Sequence, residues 1–344
     1  MLNTHFRELI SHDIAIDLGT ANTLMAIKGR GVVVNEPSLV VVGPEDVYVA
    51  SGSEAAAMEG RAPNGLSVKR PLIDGVVANY EATQAMLKKY IDIVHASHRV
   101  IIDRPRIIIG LPSAITDVER RAVEQAAKAT GARAVYTIEE PIAAAVGVGI
   151  AVMRSKGSLI VDIGGGTTEI AVISYGGIAA TRSLRVAGDE LSTIIAVSLR
   201  ETHGILIGRA TADRLKHTVA SVHRSVQLPS VRARGKDTIT GLPKSVTVTS
   251  AQLMPALIQE LRPMIDAVRT TLESTPADLM QSIAEQGLIL TGGGALLAGL
   301  DRLLSDELKI PCVVAQNPLS SVVEGAALIL QRQATYRGLI GHRI

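Results

Sequence analysis

A segment near the start of this 344-residue chain recurs without gaps 145 residues further on. Asp17 falls on Asp162, Gly19 on Gly164, Thr23 on Thr168 and Ala26 on Ala171. Both copies read as strand, tight turn, strand. The aliphatic runs Ile14-Ala15-Ile16 and Leu159-Ile160-Val161 each end in Asp-x-Gly and resume at Leu24 to Ile27 or at Ile170 to Ile173, which is a hairpin signal. This repeat is the strongest organisational signal in the chain.

Around it, strands and helices alternate: Arg106 to Gly110 (strand), Val118 to Thr130 (helix), Ala134 to Ile138 (strand), Ile142 onward (helix). Alternation of this kind is an α/β signature. Thr116 and Glu119 form a Thr-x-x-Glu capping box for the first of these helices, and Gly131 supplies its stop. A polar, basic stretch from Val226 to Ser245 reads as loops and short strands, with Arg232, Arg234 and Lys236 on a solvated face.

Composition narrows the function classes. Hydrophobic residues are 47% and charged residues 20% of the chain, and 35 basic against 33 acidic side chains leave a net charge of +2, so neither a disordered chain nor a polyanion-binding tail fits. At roughly 150 residues per domain the length corresponds to two or three folded units. With six Tyr, one Phe and no Trp, there is little aromatic surface for base stacking, so no nucleic-acid partner is expected. The single cysteine, Cys312, cannot pair internally and reads as a small buried apolar residue in a reducing compartment. The charge-free run Pro141 to Met153 has 13 residues, and no charge-free run in the chain exceeds 15, short of the roughly 20 that a membrane-spanning helix needs. Thr4, His5, Arg7 and Glu8 interrupt any signal-peptide core. The expectation is a cytoplasmic protein.

Several residues could carry chemistry. Thr291-Gly292-Gly293-Gly294 follows the apolar strand Leu288 to Leu290 and precedes a helix-like Ala295 to Leu300; glycines there admit a ligand close to the backbone, although such a run is equally a plain tight loop. Neither a Walker A sequence nor a Gly-x-Gly-x-x-Gly fingerprint occurs, which sets P-loop and dinucleotide folds aside. The two Asp-x-Gly hairpins suit a site in which facing turns grip phosphates, with Thr20, Asn22, Thr167 and Thr168 as side-chain donors. Asp17 and Asp162 are then either ordinary turn caps or holders of a hydrated Mg2+. Glu140 follows Glu139 and precedes Pro141, at a helix start. It either complements the helix dipole or polarises a water for attack on a terminal phosphate.

Together these motifs resemble the MreB/Mbl family of bacterial actins, within the actin, heat-shock chaperone and sugar kinase superfamily. The likeness runs through Ile16-Asp17-Leu18-Gly19-Thr20-Ala21-Asn22-Thr23, Asn35-Glu36-Pro37-Ser38, Arg70-Pro71 with Asp74-Gly75-Val76, and Val118-Glu119-Arg120-Arg121-Ala122. It continues through Glu139-Glu140-Pro141, Val161-Asp162-Ile163-Gly164-Gly165-Gly166-Thr167-Thr168-Glu169 and Leu290-Thr291-Gly292-Gly293-Gly294-Ala295-Leu296-Leu297.

The resemblance implies an α/β, actin-like (ribonuclease H-like), duplicated two-lobe ATPase fold with four subdomains. These are IA at 1–32, 76–145 and 320–344, IB at 33–75, IIA at 146–180 and 246–319, and IIB at 181–245. It also implies ATP or ADP with Mg2+ in the cleft between the lobes, slow hydrolysis, and assembly into double protofilaments under the cytoplasmic membrane. Carried over by position, Gly19, Thr20, Ala21, Asn22, Gly164, Gly165, Gly166, Thr167 and Thr168 bind phosphates, with Gly188 and Asp189 beside them. Asp17 and Asp162 face the metal, and Glu140 with Thr167 orients the attacking water. Gly292, Gly293 and Gly294 lie against the nucleoside, and Asp213 and Lys216 contact ribose and adenine.

The chain departs from the family pattern in four places: Asp213 stands where Glu is usual, Asn79 where Asp is usual, Ala187 where a glycine is common, and Gly43 to Gly60 is shortened. Membrane contact is expected from Leu2, Phe6, Leu9 and Ile10, which share one helical face whose alternative is a flap docked on the protein's own core, and from Val100, Ile101 and Ile102, a trio that a buried strand edge explains equally well. The implied partners are a second copy of the chain, the membrane surface and cell-wall elongation proteins such as RodZ, MreC and MreD. A filament that positions an organelle or plasmid, and a small-molecule kinase on the same fold, are the alternatives.

Overall fold

The computed structural model describes residues 13–98 and 104–341. The anchor candidates Leu2, Phe6, Leu9, Ile10, Val100, Ile101 and Ile102 lie outside the described residues. The chain divides into two compact units, one from the described residues up to Ser155 with Ile173–Ile178 and those from Leu319 onward, the other from Lys156–Val172 and Ala179–Pro318.

In the first unit, β1 (Ile14–Leu18), β2 (Asn22–Ile27), β3 (Gly31–Pro37), β4 (Arg106–Leu111) and β5 (Ala134–Glu139) form one sheet in the order β5-β4-β1-β2-β3. The first three strands make an antiparallel meander, and β4 and β5 run parallel to β1. Ile14, Ile16, Ile107, Ile108 and Ile109 are buried on both sheet faces. This explains why β1 and β4 read as continuous aliphatic runs instead of alternating ones.

Three helices of this unit have their causes in the sequence. Asn79 Oδ1 accepts from Ala82 N–H at 2.8 Å and caps α1 (Tyr80–His98), so Asn serves here as Asp would. The Thr116 and Glu119 box starts α2 (Asp117–Lys128): Thr116 N–H donates to Glu119 Oε2 at 2.8 Å and Glu119 N–H to Thr116 Oγ1 at 3.3 Å. Pro141 sits in the first turn of α3 (Glu140–Gly147), which crosses a helix at Ser321–Gln331 (α8 in chain order) through facing glycines.

The second unit repeats the plan. Its strands β6 (Ser158–Ile163), β7 (Thr168–Ser174), β8 (Gly177–Leu184), β9 (Leu288–Thr291) and β10 (Cys312–Val314) run in the order β8-β7-β6-β9-β10, with β9 parallel to β6 and β10 parallel to β9. Strand order around the second hairpin therefore matches that around the first. Helices α4 (Gly188–His203), α5 (Arg209–Thr218) and α6 (Ser250–Glu273) share its core. Leu253, Leu257, Leu261, Met264, Ile265 and Val268 form the buried stripe of α6 at helical spacing.

Structure and sequence reading differ in two places. Ala295 to Leu300 is not one helix: a 3-10 turn at Gly293–Leu296 ends in extended Leu297, Gly299 is left-handed (φ 82°), and α7 (Leu300–Leu308) starts beyond it. Cys312 is half-buried, because it lies on the edge strand β10. The basic stretch forms an antiparallel pair, Val231–Asp237 with Pro243–Val248, and Arg232, Arg234 and Lys236 are exposed. Ala187 has φ −149°, an extended backbone that needs no glycine.

Candidate functional site

The first turn is built from tight backbone and committed hydroxyls. A Cβ on Gly19 would lie 2.7 Å from Asn22 O, so only glycine fits. Fully buried Thr23 pairs its Oγ1 with Ser38 Oγ at 2.9 Å, Ser38 Oγ donates to Gly19 O at 2.6 Å, and Ser38 N–H donates to Ala21 O at 2.8 Å. Thr20 Oγ1 accepts from Gly75 N–H at 2.9 Å and Thr20 O accepts from Arg70 Nη1 at 3.3 Å. Thr20 thus ties the turn to Arg70–Gly75 and keeps its hydroxyl proton for a further acceptor. Asn22, the first residue of β2, is half-buried.

Asp17 and Glu140 emerge at one end of this sheet. Asp17, Gly110 and Ile138 are aligned across β1, β4 and β5, and Glu140 opens α3 just beyond β5. Parallel strands of open α/β sheets present ligands at their carboxyl ends. Glu140 is buried, and a Cβ on Gly110 would come within 3.3 Å of its Cγ and 3.0 Å of Val322 Cγ1. Gly110 therefore makes the room that the Glu140 side chain occupies.

The second turn is held mainly by backbone. Gly164 N–H donates to Thr167 O at 2.8 Å, while Gly188 and Asp189, the first residues of α4, donate their N–H groups to Gly164 O at 3.1 Å and Gly165 O at 2.8 Å. Thr168, fully buried, donates its hydroxyl to Val186 O at 2.7 Å. Its one proton is thereby committed to the protein, and Thr167, which is half-buried, is the hydroxyl left at the turn.

Beside this turn, Thr291 donates to Asp162 Oδ1 at 2.8 Å. Burial pushes the Asp162 carboxyl up to about 6, against the Thr291 hydrogen bond that lowers it. The Gly292 backbone has φ 78°, and a Cβ there would meet Ile163 O at 2.3 Å; one on Gly294 would meet Ile163 Cγ2 at 2.2 Å. The triple-glycine turn, including Gly293, is thus pressed against the end of β6, next to Asp162. Asp213 and Lys216 come together on α5: Lys216 Nζ donates to Gly188 O (2.7 Å), Ser192 Oγ (2.8 Å) and Asp213 Oδ1 (3.2 Å). Burial raises the Asp213 pKa, but the Ser192 hydrogen bond, Lys216 and Arg209 outweigh it and leave the carboxyl below its ordinary range.

Sequence reasoning assigned no role to Ser38, Arg70, Gly110, Ser192, Arg209 or Thr291. Ser38, Arg70 and Thr291 sit within motifs quoted above, so their neighbourhood was the only available signal. Ser192 and Arg209 meet Asp213 and Asp189 through the packing of two helices, which no local pattern announces. Among the described residues no helix is long and apolar enough to cross a membrane.

Comparison with known proteins bears on this geometry. The family model described as MreB/Mbl protein matches residues 11–337. The cell shape-determining protein MreB of Escherichia coli (strain K12) is 43% identical over 331 residues, covering 95% of each chain. The crystal structure of MreB5 of Spiroplasma citri bound to ADP superposes with a TM-score of 0.89 at 34% identity, covering 96% of this chain and 98% of that one. A chain of the MamK double helical filament, at TM-score 0.79 and 19% identity over 94% and 99% of the two chains, shares the fold. A duplicated α/β architecture with an Asp-x-Gly hairpin in each half, matched along nearly its whole length, makes this chain a member of the MreB/Mbl family.

Proposed function

We propose that the chain is an ATP-dependent cytoskeletal polymer that forms double protofilaments beneath the cytoplasmic membrane and sets cell shape by organising wall synthesis. The observation that carries this reading is the recurrence of one Asp-x-Gly hairpin at the same place in two sheets of matching strand order. The names of relatives support it: cell shape-determining for one, bound to ADP for another.

In this reading the turns at Gly19–Asn22 and Gly164–Thr167 each bind phosphate through backbone N–H groups, with Thr20 and Thr167 adding hydroxyls. Gly292 to Gly294 and Asp213 lie on the nucleoside side. The residues present fit a Mg2+ ion: buried Asp162 is a carboxylate that a cation stabilises, with Thr291 donating to its Oδ1. That donor set suits an ion that keeps its waters and takes one or two carboxylates, Asp162 and Asp17, plus phosphate oxygens. Bound with nucleotide, the ion neutralises phosphate charge. Glu140, aided by Thr167, orients a water and takes its proton as the water attacks the terminal phosphate. Hydrolysis is slow and follows assembly, so the ATPase times the polymer. Leu2, Phe6, Leu9, Ile10 and Val100 to Ile102 supply the membrane contact, each weak and made sufficient by repetition along a filament. Wall-elongation proteins such as RodZ, MreC and MreD are the further partners.

High-speed sedimentation with Mg-ATP and without nucleotide, with the pellet viewed by negative-stain microscopy, tests the reading. Ordered double filaments with Mg-ATP alone are expected. A protein that binds ATP yet stays soluble, with anionic vesicles also failing to assemble it, is a small-molecule kinase instead.

A further inference from the structure

Apart from Thr168, whose hydroxyl donates to Val186 O at its base, the second phosphate turn has among the described residues no side-chain anchor of the kind Thr20 and Ser38 give the first. Its position is set by two backbone bonds, from Gly188 N–H to Gly164 O and from Asp189 N–H to Gly165 O, both from the first residues of α4. The start of α4 therefore helps to set where the turn sits. Its N-cap, Ala187, has no side-chain oxygen, and within α4 the start is held by Glu190 Oε2, which accepts from Ala187 N–H at 3.0 Å, and by Ser192 Oγ, which donates to Gly188 O at 3.1 Å. Further fixing groups come from α5. Lys216 donates to Gly188 O and Ser192 Oγ, and Arg209 Nη2 bonds Asp189 Oδ1 while its Nε lies 3.8 Å from Asp213 Oδ2.

We propose that Arg209 is a positioning residue for the phosphate turn Gly164–Thr167, acting through Asp189. This rests on the ATP reading above. Asp189 and Asp213 are two carboxylates on adjoining helices, beside a turn assigned to a triphosphate. Lys216 pairs with Asp213, and Arg209 pairs with Asp189. A neutral residue at 209 leaves like charges facing each other and lets the start of α4 swing, carrying Gly164 and Gly165 with it. Charge is the essential property: a lysine supplies it, though without the planar fork of the guanidinium.

The test compares Arg209→Gln and Arg209→Lys by Mg-ATP titration, single-turnover hydrolysis and amide hydrogen exchange of Gly164–Thr167 in nucleotide-free protein. Arg209→Gln is expected to weaken Mg-ATP binding about tenfold, the loss of one charge-assisted clamp. Its hydrolysis rate for bound ATP should change less than about threefold, because binding re-forms the turn. Arg209→Lys should recover most of the affinity, and exchange at the turn should quicken in the Gln variant alone. Arg209→Met, which keeps the aliphatic stem, replaces Gln if that variant does not fold. Binding within about twofold of the unmodified protein, equal loss in Gln and Lys, or unfolding of both Gln and Met overturns the proposal. If the unmodified protein does not bind Mg-ATP, the functional reading fails, while unchanged exchange at the turn still refutes the positioning role.

Discussion

Glycines 147 and 325 set how closely α3 and α8 approach, and through α3 they set Glu140. A Cβ on Gly325 would lie 1.8 Å from Ala143 O and 2.7 Å from Gly147 N, and one on Gly147 would lie 1.9 Å from Ser321 O. Ordinary contact starts at 3.4 Å, so Gly325→Ala must part the helices by roughly 1.5 Å. A gap of that size forfeits a large part of the dispersion along the crossing. Overpacking at or just beyond the top of its usual range of about 1 to 3 kcal/mol, about 3 to 4 kcal/mol for so close a contact, is offset by about 1 kcal/mol of helix propensity gained, leaving a net loss of about 2 to 3 kcal/mol. For a unit of this size that lowers the melting midpoint by roughly 4 to 12 °C, read by circular dichroism at 222 nm. Gly338→Ala, exposed and with nothing near its Cβ, is the control and should melt within about 2 °C of the unmodified protein. Combining Gly147→Ala with Gly325→Ala should cost less than the sum, because either change already opens the crossing. Glu140 starts the displaced helix, so ATP hydrolysis should fall further than ATP affinity. If Gly325→Ala melts with the control, the close approach of the two helices is wrong.

Three further outcomes follow from the site. Glu140→Ala should keep Mg-ATP binding and assembly while phosphate release drops by about 100-fold or more, checked by a coupled phosphate assay on sedimented polymer. Thr291→Val removes the hydroxyl that bonds Asp162 and should cost about 1 to 3 kcal/mol in urea unfolding of nucleotide-free protein; no change in midpoint would mean that the bond contributes nothing. The Asp213 carboxyl, held below its ordinary range, contributes stability that is present above about pH 4 and lost as pH falls through its lowered value. Melting curves between pH 3 and pH 7 should therefore show Asp213→Asn destabilised at neutral pH and converging with the unmodified protein in acid.

Much of the fold could be read from short-range chemistry. The capping box at Thr116, the glycine stop at Gly131 and the Asp-x-Gly hairpins are each written within a few residues, and each acts on its own neighbourhood. The fate of Ala295 to Leu300 could not be read this way, because Gly299 takes a left-handed backbone against His223, where a Cβ would come within 2.6 Å; that contact joins residues 76 apart. At the site, residue types and turns were legible, but which hydroxyls remain for a ligand was not. Thr167 and Thr168 look alike in sequence, and only the placement of Val186 O commits the proton of Thr168. Lys216 likewise reads as a ligand contact, yet it has three protein acceptors around its ammonium.

The two copies of the hairpin have kept one anchor and exchanged the others. Thr23 and Thr168, equivalent in the repeat, are both fully buried and both hold the base of their turns. Beyond that, the first turn is secured by side chains, Thr20 to Gly75 and Ser38 to Gly19, whereas the second is secured by backbone from α4 and by the glycines at 292 and 294. The halves should therefore fail under different substitutions. Removing a hydroxyl at Thr20 or Ser38 loosens the first turn, while the second is disrupted by adding a Cβ, as at Gly188, 3.3 Å from Gly164 O, or Gly292, 2.3 Å from Ile163 O. Asp17 follows the same division, half-buried at the first turn, while Asp162 is buried with Thr291 on it. A side-chain-held turn is free to move with the segment Arg70–Gly75 to which it is tied, and a backbone-held turn moves only with a whole helix. On this ground the second turn is the more rigidly held of the two, and the first is the one able to move with the surface segment tied to it.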